Sequence, residues 1–471
     1  MKSISKIVLI LSTFITVSLS YQIQLNNSIV KIHASASVSN YKYPWQTSNI
    51  FRYAGSGIII DGNQILTSAH VVSGAKFLEV QKENDPKKYI AKVKHISHQA
   101  DLAIVEVEDK IFFNDTKPLK LSKKVKTRDE ITVLGYPLGG QTISTTTGII
   151  SRIEYTNYVW SKEYLLAIQV DAAINGGNSG GAALDKNGDI VGIAMMRLKN
   201  ADNISYIVPS VIINTFLEDI KDGKVDGFGR SGLVINYINN DSIKEYFGLR
   251  NGDGILVTKV PYGENDFKVN DIILELDGKV VANDATIDSS FGRVHCNLVL
   301  HQKQIGDKVQ FKVLRNKEII SFDYIIKNIE PLIANEFDKE PRYLIFGGLA
   351  FTPLTKNYIS AIGSNTSGIN NLFYNKDKSN DFDEAVVWMQ DNFPHKVNRG
   401  YYSQGYIVET VNGIKVQNFK HFVSLIDNLD TKFVVIDTME KEKIILNVEE
   451  ARESFDELKK IYRLISDRSI N

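Results

Sequence analysis

The feature that most constrains this chain is a succession of short β-prone runs, each bounded by turn residues, that fills the stretch from Ile29 to Pro209. The runs are Gly57 to Ile60, Gln64 to Ser68, Tyr89 to Ser97, Leu102 to Val107, Glu130 to Tyr136, Thr142 to Tyr155, Leu165 to Asp171, Asp189 to Met196 and Ile204 to Val208. Short strands at this spacing predict all-β barrels or sandwiches. Asp61-Gly62 and Asn187-Gly188 fit tight hairpin turns. Pro209 then opens a predicted helix through Ile220, with Val211, Ile212, Phe216, Leu217 and Ile220 on one stripe and Gly223 as its stop.

Within that β-rich stretch, the run Asp171-Ala172-Ala173-Ile174-Asn175-Gly176-Gly177-Asn178-Ser179-Gly180-Gly181 sets one serine among glycines. Backbone N–H groups of such a loop can converge on one point, which builds a nucleophile and an oxyanion hole together. A serine hydroxyl needs a neutral imidazole to take its proton, and the imidazole needs a carboxylate to fix its tautomer. His70, in Thr67-Ser68-Ala69-His70-Val71-Val72, and Asp101, in Ala100-Asp101-Leu102-Ala103-Ile104, supply both upstream, so the order is His, Asp, Ser. The expected catalytic residues are therefore His70, Asp101 and Ser179, with the N–H groups of Gly177 and Ser179 as oxyanion donors. Gly177 to Gly181 also satisfies the G-x-S-x-G of an α/β-hydrolase elbow, but there acid and histidine follow the serine and a helix follows the elbow. Here a hairpin follows, which disfavours an esterase. The pocket strand Val191-Gly192-Ile193-Ala194-Met195 holds no acidic residue. Ile193 and Ala194 are accordingly expected to bind substrate, with cleavage after aliphatic residues.

Two further clusters resemble metal sites but read as exposed loop histidines and a hairpin turn. His95-Ile96-Ser97-His98 with Asp101 has mixed strand parity, which would not converge on one ion, and Asp185 to Asp189 lacks the glycine and glutamate of a calcium loop. No metal and no cofactor are expected. Lys+Arg and Asp+Glu balance at 55 each, so no global field draws nucleic acid. Cys296 is the single cysteine, which excludes an internal disulfide and reads as buried filler. Lys2 and Lys6 precede an apolar run from Ile7 to Leu19 with small residues at Ser18 and Ser20, the pattern of an export signal cleaved after Ser20, a retained anchor being the alternative.

With 471 residues the chain is long enough for about three domains. Lys221 to Gly232, rich in glycine and charge, reads as a linker. Beyond it Asp271 to Val280 and Tyr406 to Lys415 are weak copies of one another, each a strand, a turn with glycine and a second strand. An amphipathic stretch, Lys420 to Leu429, follows the second copy, and helical spacing returns from Glu449 to Ile465. Ser364 to Asp383 is polar and reads as a loop.

The serine, histidine and aspartate motifs, together with Tyr43-Pro44-Trp45-Gln46, Gly55-Ser56-Gly57, Gly135-Tyr136-Pro137-Leu138-Gly139-Gly140, Thr147 to Glu154 and Lys312 to Asn316, resemble the HtrA/Deg family of trypsin-fold serine proteases. Within it the chain is most similar to the Deg-type members of plants and some bacteria that carry an extended C-terminal half. The resemblance implies a mainly β fold, a chymotrypsin-like double β-barrel followed by two PDZ-like α+β domains. The corresponding boundaries are residues 1–20 for the signal, 21–222 for the protease, 230–330 for the first PDZ-like domain and 335–471 for the second with its C-terminal helix. It also implies an ATP-independent endopeptidase of protein quality control that degrades unfolded or damaged exported proteins in a periplasm, as a trimer or stacked trimers. The rival is a chaperone-like scaffold with a resting triad. PDZ domains hold a peptide C-terminus as an added strand, its carboxylate on loop N–H groups. Gly252 to Val257 resembles such a loop, with Gly254, Ile255 and Leu256 as donors, while Phe346-Gly347-Gly348-Leu349 is a weaker match and the second copy is expected to serve assembly. The family usually has proline where Gly176 and Ala182 stand and asparagine where Ser68 stands.

Overall fold

The structure is a computed structural model that describes residues 25–46, 49–197, 204–249, 252–363, 378–379 and 382–470. The expected export signal and most of the polar run from Ser364 lie outside the described residues. Contacts divide the chain into two compact units, one of residues 1–36, 51–260 and 266–329, the other of 37–50, 261–265 and 330–471.

The first unit opens with two closed six-stranded barrels. Strands β1 (Ile29–Val38), β2 (Asn49–Ile60), β3 (Gln64–Thr67), β4 (Ala75–Lys82), β5 (Lys88–Ser97) and β6 (Leu102–Val107) close in the order β1-β2-β3-β6-β5-β4. Strands β7 (Glu130–Gly135), β8 (Ser144–Asn157), β9 (Tyr164–Val170), β10 (Ala182–Leu184), β11 (Ile190–Arg197) and β12 (Ser205–Pro209) close as β10-β11-β12-β9-β8-β7. Closure removes sheet edges and leaves one inward face to fill. In β5 this gives alternation, Tyr89 and Ala91 buried between exposed Lys88, Ile90 and Lys92. The helix Ser210–Asp219 follows, buries Ile212, Ile213 and Phe216, and runs into a 3₁₀ turn that ends at Gly223.

The stretch expected as a linker is pinned instead. The Gln99 side chain donates to the Phe228 carbonyl at 3.1 Å and accepts from its N–H at 2.8 Å, and the Phe228 ring is buried. After it come β13 (Val234–Tyr237), β14 (Ile255–Lys259), β15 (Ile272–Leu276), β16 (Lys279–Val280), β17 (Thr286–Ser289), β18 (Gly292–His295), β19 (Lys308–Arg315) and β20 (Glu318–Ile325). Their sheet runs β13-β14-β15-β19-β20, with β13 at its edge and β16 hairpinned onto β15. A short helix, Leu298–His301, packs with this sheet.

In the second unit Tyr343–Phe346, Leu349–Pro353, Val386–Trp388, Tyr406–Val411, Phe433–Thr438 and Lys443–Asn447 form most of an eight-stranded sheet. The helices Phe419–Asp427 and Val448–Tyr462 accompany it, the latter N-capped by the Asn447 side chain. The repeat read in the sequence is real in three dimensions. Leu276 pairs Lys279 across Asp277-Gly278, and Val411 pairs Ile414 across Asn412-Gly413, with positive φ at all four turn residues. Two-residue turns of this hand match strand twist, and asparagine, aspartate and glycine tolerate them best. Trp45 packs edge-on against Phe393 in this unit, their ring centroids 4.8 Å apart.

Candidate active site

His70 sits on a four-residue helix, Ala69–Val72, that starts as soon as β3 ends. Asp101 lies in the tight turn between β5 and β6, at φ 56°, fully buried, its N–H donated to the His98 carbonyl. The two strands pair through Thr67 and Ala103, which brings helix and turn side by side. The His70 Nδ1 lies 2.8 Å from Asp101 Oδ2 and 3.0 Å from Oδ1, and the His70 backbone N–H donates to Oδ1 at 2.9 Å. Burial disfavours the imidazolium of His70, but the charge of Asp101 and its hydrogen bond act against it, and the balance raises the histidine above its ordinary value.

Ser179 reaches the same region from the second barrel. Its carbonyl accepts from the Ser56 N–H in β2 at 2.8 Å, and the N–H of Gly180 donates to the Ala194 carbonyl in β11 at 2.9 Å. Gly180 takes φ 81°, and a Cβ there would overlap the Ser56 carbonyl and the Thr67 hydroxyl. Only glycine lets the loop press this close to the strand that leads to His70. Ser179 Oγ donates to the Met195 carbonyl at 3.4 Å, and no hydrogen bond joins it to His70.

The loop's amides are divided in a telling way. Those of Asn178, Gly180 and Gly181 are committed to the carbonyls of Asn175, Ala194 and Asn178, whereas those of Gly177 and Ser179 have no partner among the described residues. Ser56, buried, donates its hydroxyl to the Gly177 carbonyl at 2.9 Å and accepts from the Tyr136 N–H at 2.8 Å. It thereby turns that carbonyl away and holds the loop.

Ile193 and Ala194 are not where a pocket lining would be. Both are wholly buried in a cluster that spans the two barrels and the following sheet, so neither side chain is open to a substrate and β11 offers backbone instead. Gly254, Ile255 and Leu256 also need correcting. Ile255 and Leu256 lie in β14, paired with β13 on one side and β15 on the other, and the Gly254 N–H donates to Asn283 Oδ1 at 3.3 Å. Interior strands spend their N–H groups on neighbours, so these three are not carboxylate donors. The Ile255 side chain does line a cavity of about 220 Å³ with Leu233, Ile235, Cys296, Leu300 and Tyr164, beside the edge strand β13. Cys296 is buried there, and burial pushes its thiol up to about 12. Gly347 and Gly348 form a hairpin turn, the Gly347 carbonyl bonded by Asn398 Nδ2 at 2.9 Å.

Trp160 and Tyr158 belong to no motif, yet they lie beside His70 and Asp101. The Trp160 ring lies 6.2 Å from that of His70, and its Nε1 donates to His98 Nδ1 at 3.3 Å. Tyr158 is fully buried, which raises its hydroxyl well above the ordinary value, with the negative Asp101 adding to the shift. No motif marks such residues, because what selects them is the shape of the space beside the imidazole.

Residues 55–193 match the family model of a trypsin-like peptidase domain, and residues 333–471 match that of a PDZ domain. The chain is 34% identical to the Arabidopsis thaliana "Protease Do-like 4, mitochondrial" over 93% of its own length and 84% of that protein's. It is 31% identical to "Protease Do-like 2, chloroplastic" of the same plant, over 94% and 75%. The HtrA-type protease AlgW, solved with a decapeptide, superposes with a TM-score of 0.51 at 23% identity, covering 65% of this chain and 97% of that one, a likeness of fold.

Proposed function

The chain belongs to the Do-like, or HtrA, family of serine proteases, and from that premise we propose that it is an ATP-independent endopeptidase of unfolded or damaged proteins, with His70, Asp101 and Ser179 as its triad. The observation that carries the assignment is the buried Asp101 carboxylate bonded to both the ring and the backbone N–H of His70, next to a loop whose two unspent amides flank Ser179. In this reading Ser179 Oγ attacks the peptide carbonyl carbon while its proton passes to His70 Nε2. Asp101 stabilises the imidazolium through Nδ1–H. The oxyanion accepts from the N–H groups of Gly177 and Ser179. When the C–N bond breaks, Nε2 returns the proton to the leaving amine, and water then hydrolyses the acyl-enzyme by the same relay in reverse.

One observation favours the rival, a peptide-binding scaffold with a resting triad: the Ser179 hydroxyl is turned to the Met195 carbonyl and not to His70. Hydrogen bonds of this kind often tighten only once substrate is bound, so the two readings part on activity. Casein digestion without nucleotide, with Ser179→Ala as control and a fluorophosphonate as label, separates them. Labelling and digestion lost together in the variant support the protease. Casein binding with neither labelling nor digestion in the wild type supports the scaffold.

Peptide C-termini, in this proposal, are taken at the exposed edge of β13, where Leu233 and Ile235 turn apolar side chains into the cavity and the loop 231–233 lies at the strand's start. Assembly as a trimer or stacked trimers, and action on proteins delivered to an enclosed compartment such as a periplasm, complete the proposal. The organellar names of the two relatives fit an enclosed compartment of some kind. Among the described residues no helix is long and apolar enough to cross a membrane.

A further inference from the structure

A second cavity, of about 460 Å³, opens on the first barrel, with Arg52, Phe77, Glu79, Lys88, His33 and Leu138 in its lining. Two links tie it to the nucleophile. Leu138, two-thirds exposed, donates its N–H to the Gly176 carbonyl at 2.8 Å, next to the expected oxyanion donor Gly177. Strand β2 runs from Arg52 to Ser56, whose N–H bonds the Ser179 carbonyl. At about 3.3 Å per residue, Arg52 stands roughly 13 Å along that strand from Ser56.

The side of the cut follows from what flanks Ser179. Strand β11 borders it through the Ala194 and Met195 carbonyls, on the side expected to receive the residue before the scissile bond. Strand β2 and Leu138 meet the same loop through other bonds, at the Ser179 and Gly176 carbonyls, and the departing segment is taken to run along them.

Charge then sets the chemistry. Lys88 pairs with Glu79 at 3.7 Å, and His33 bonds Gln81 at 3.2 Å, while burial holds the imidazole of His33 below its ordinary value and so uncharged near neutral pH. Arg52 is exposed and has no ion-pair or hydrogen-bond partner among the described residues. The cavity keeps one uncompensated guanidinium, a group that recognises carboxylates through its planar fork.

We infer that Arg52 makes the cleft select an acidic side chain two to four residues beyond the cut bond. The inference rests on the reading of Ser179 as nucleophile. It gives the enzyme a charge preference on the departing side that the strand Val191 to Met195 does not supply.

The test uses the full-length protein and internally quenched peptides that differ only in carrying Asp, Asn or Lys at the second, third or fourth position after the cut. The wild type is expected to cleave the Asp peptide about fivefold faster than the Lys peptide at one of these positions, the scale of an exposed ion pair, with the ratio shrinking in high salt. Arg52→Gln should bring the ratio near one, and Arg52→Glu should invert it, while fluorophosphonate labelling of Ser179 stays at the wild-type rate in both. Equal rates for Asp and Lys at all three positions, or a ratio that survives Arg52→Glu, overturn the inference and leave the nucleophile untouched. A wild type that neither labels nor cleaves overturns the nucleophile instead. Binding of the same peptides to Ser179→Ala, Asp against Lys, with and without Arg52→Glu, would then still decide what Arg52 does.

Discussion

In the proposed mechanism two residues decide whether Ser179 can work as nucleophile, and each has a separable signature. Because Asp101 raises the His70 imidazole, the ring stays protonated to a higher pH than a free histidine, and a general base is lost as pH falls through that value. The acid limb of kcat/KM should therefore lie above the ordinary histidine range, about pH 6.5. Asp101→Asn should shift the limb downward and lower kcat by about 10⁴-fold. A limb that stays in place in that variant would show that another group is being titrated. Ser56 acts differently, through the loop: its hydroxyl donates to the Gly177 carbonyl and accepts from the Tyr136 N–H, with no hydrogen bond to His70 or the Ser179 side chain. Ser56→Ala should free that peptide to turn, lowering kcat by about tenfold with KM little changed, the scale of one buried hydrogen bond. Ser56→Thr, which keeps a hydroxyl, should recover part of the loss. A change confined to KM, or no rescue, would place Ser56 outside the oxyanion loop's support.

Elements distant in sequence meet where the second barrel abuts the sheet from β13 to β20. His301, at the end of the helix Leu298–His301, is buried there, with Nδ1 3.2 Å from the Tyr155 hydroxyl and its carbonyl accepting from Thr215 Oγ1 at 3.0 Å. Burial, aided by the nearby His295 and Arg230, pushes it down to about 3. Between that value and the ordinary one the unfolded chain binds the extra proton, so this contribution is whole above about pH 6.5 and is lost as pH falls, at about 1.4 kcal/mol per unit. His301→Asn keeps an acceptor for Tyr155 and does not titrate. Urea midpoints at pH 7.5 and 4.5 should converge in the variant and diverge in the wild type, and equal divergence in both would remove His301 from the cause. The sequence made the barrels legible because hairpins with glycine turns and alternating strands are local, as in β5. It also made legible that His70 and Asp101 would be neighbours and that Ser179 would stand on a tight glycine loop, since both follow from short local motifs. Three things were not legible. Ile193 and Ala194 point to opposite faces of β11 and are both wholly buried, because packing covers the strand on its two sides, which composition does not reveal. Ile255 and Leu256 look like a loop in sequence and become an interior strand through pairing with β13 and β15, with Gly254 just ahead of it bonded to Asn283. Lys221 to Gly232 looks loose, yet Gln99, more than a hundred residues upstream, clamps Phe228.

At the scale of the whole molecule, equal numbers of cationic and anionic residues leave no long-range field to gather substrate, so selection must come from local sites. Ser179 and the cavity beside β13 belong to the same compact unit of one chain. A polypeptide whose apolar C-terminus rests on β13 is held near Ser179 at an effective concentration set by the segment between the two sites, in the millimolar range for short flexible spacers. Such a tether acts on binding and leaves the chemical step alone. A substrate with a free apolar C-terminus should therefore show a KM about ten- to a hundredfold below that of its amidated twin, with kcat unchanged, because amidation removes the charge that backbone N–H groups receive. Ile235→Lys, which puts a charge into the cavity, should erase the difference while sparing a short chromogenic substrate that needs only the cleft. Lengthening the flexible segment should weaken the advantage gradually, as loop-closure entropy requires, and shortening it below the span should abolish it. If acid and amide forms were cut with the same KM at every spacer length, the edge of β13 would not be a capture site, and substrate selection would fall to the cleft and Arg52 alone.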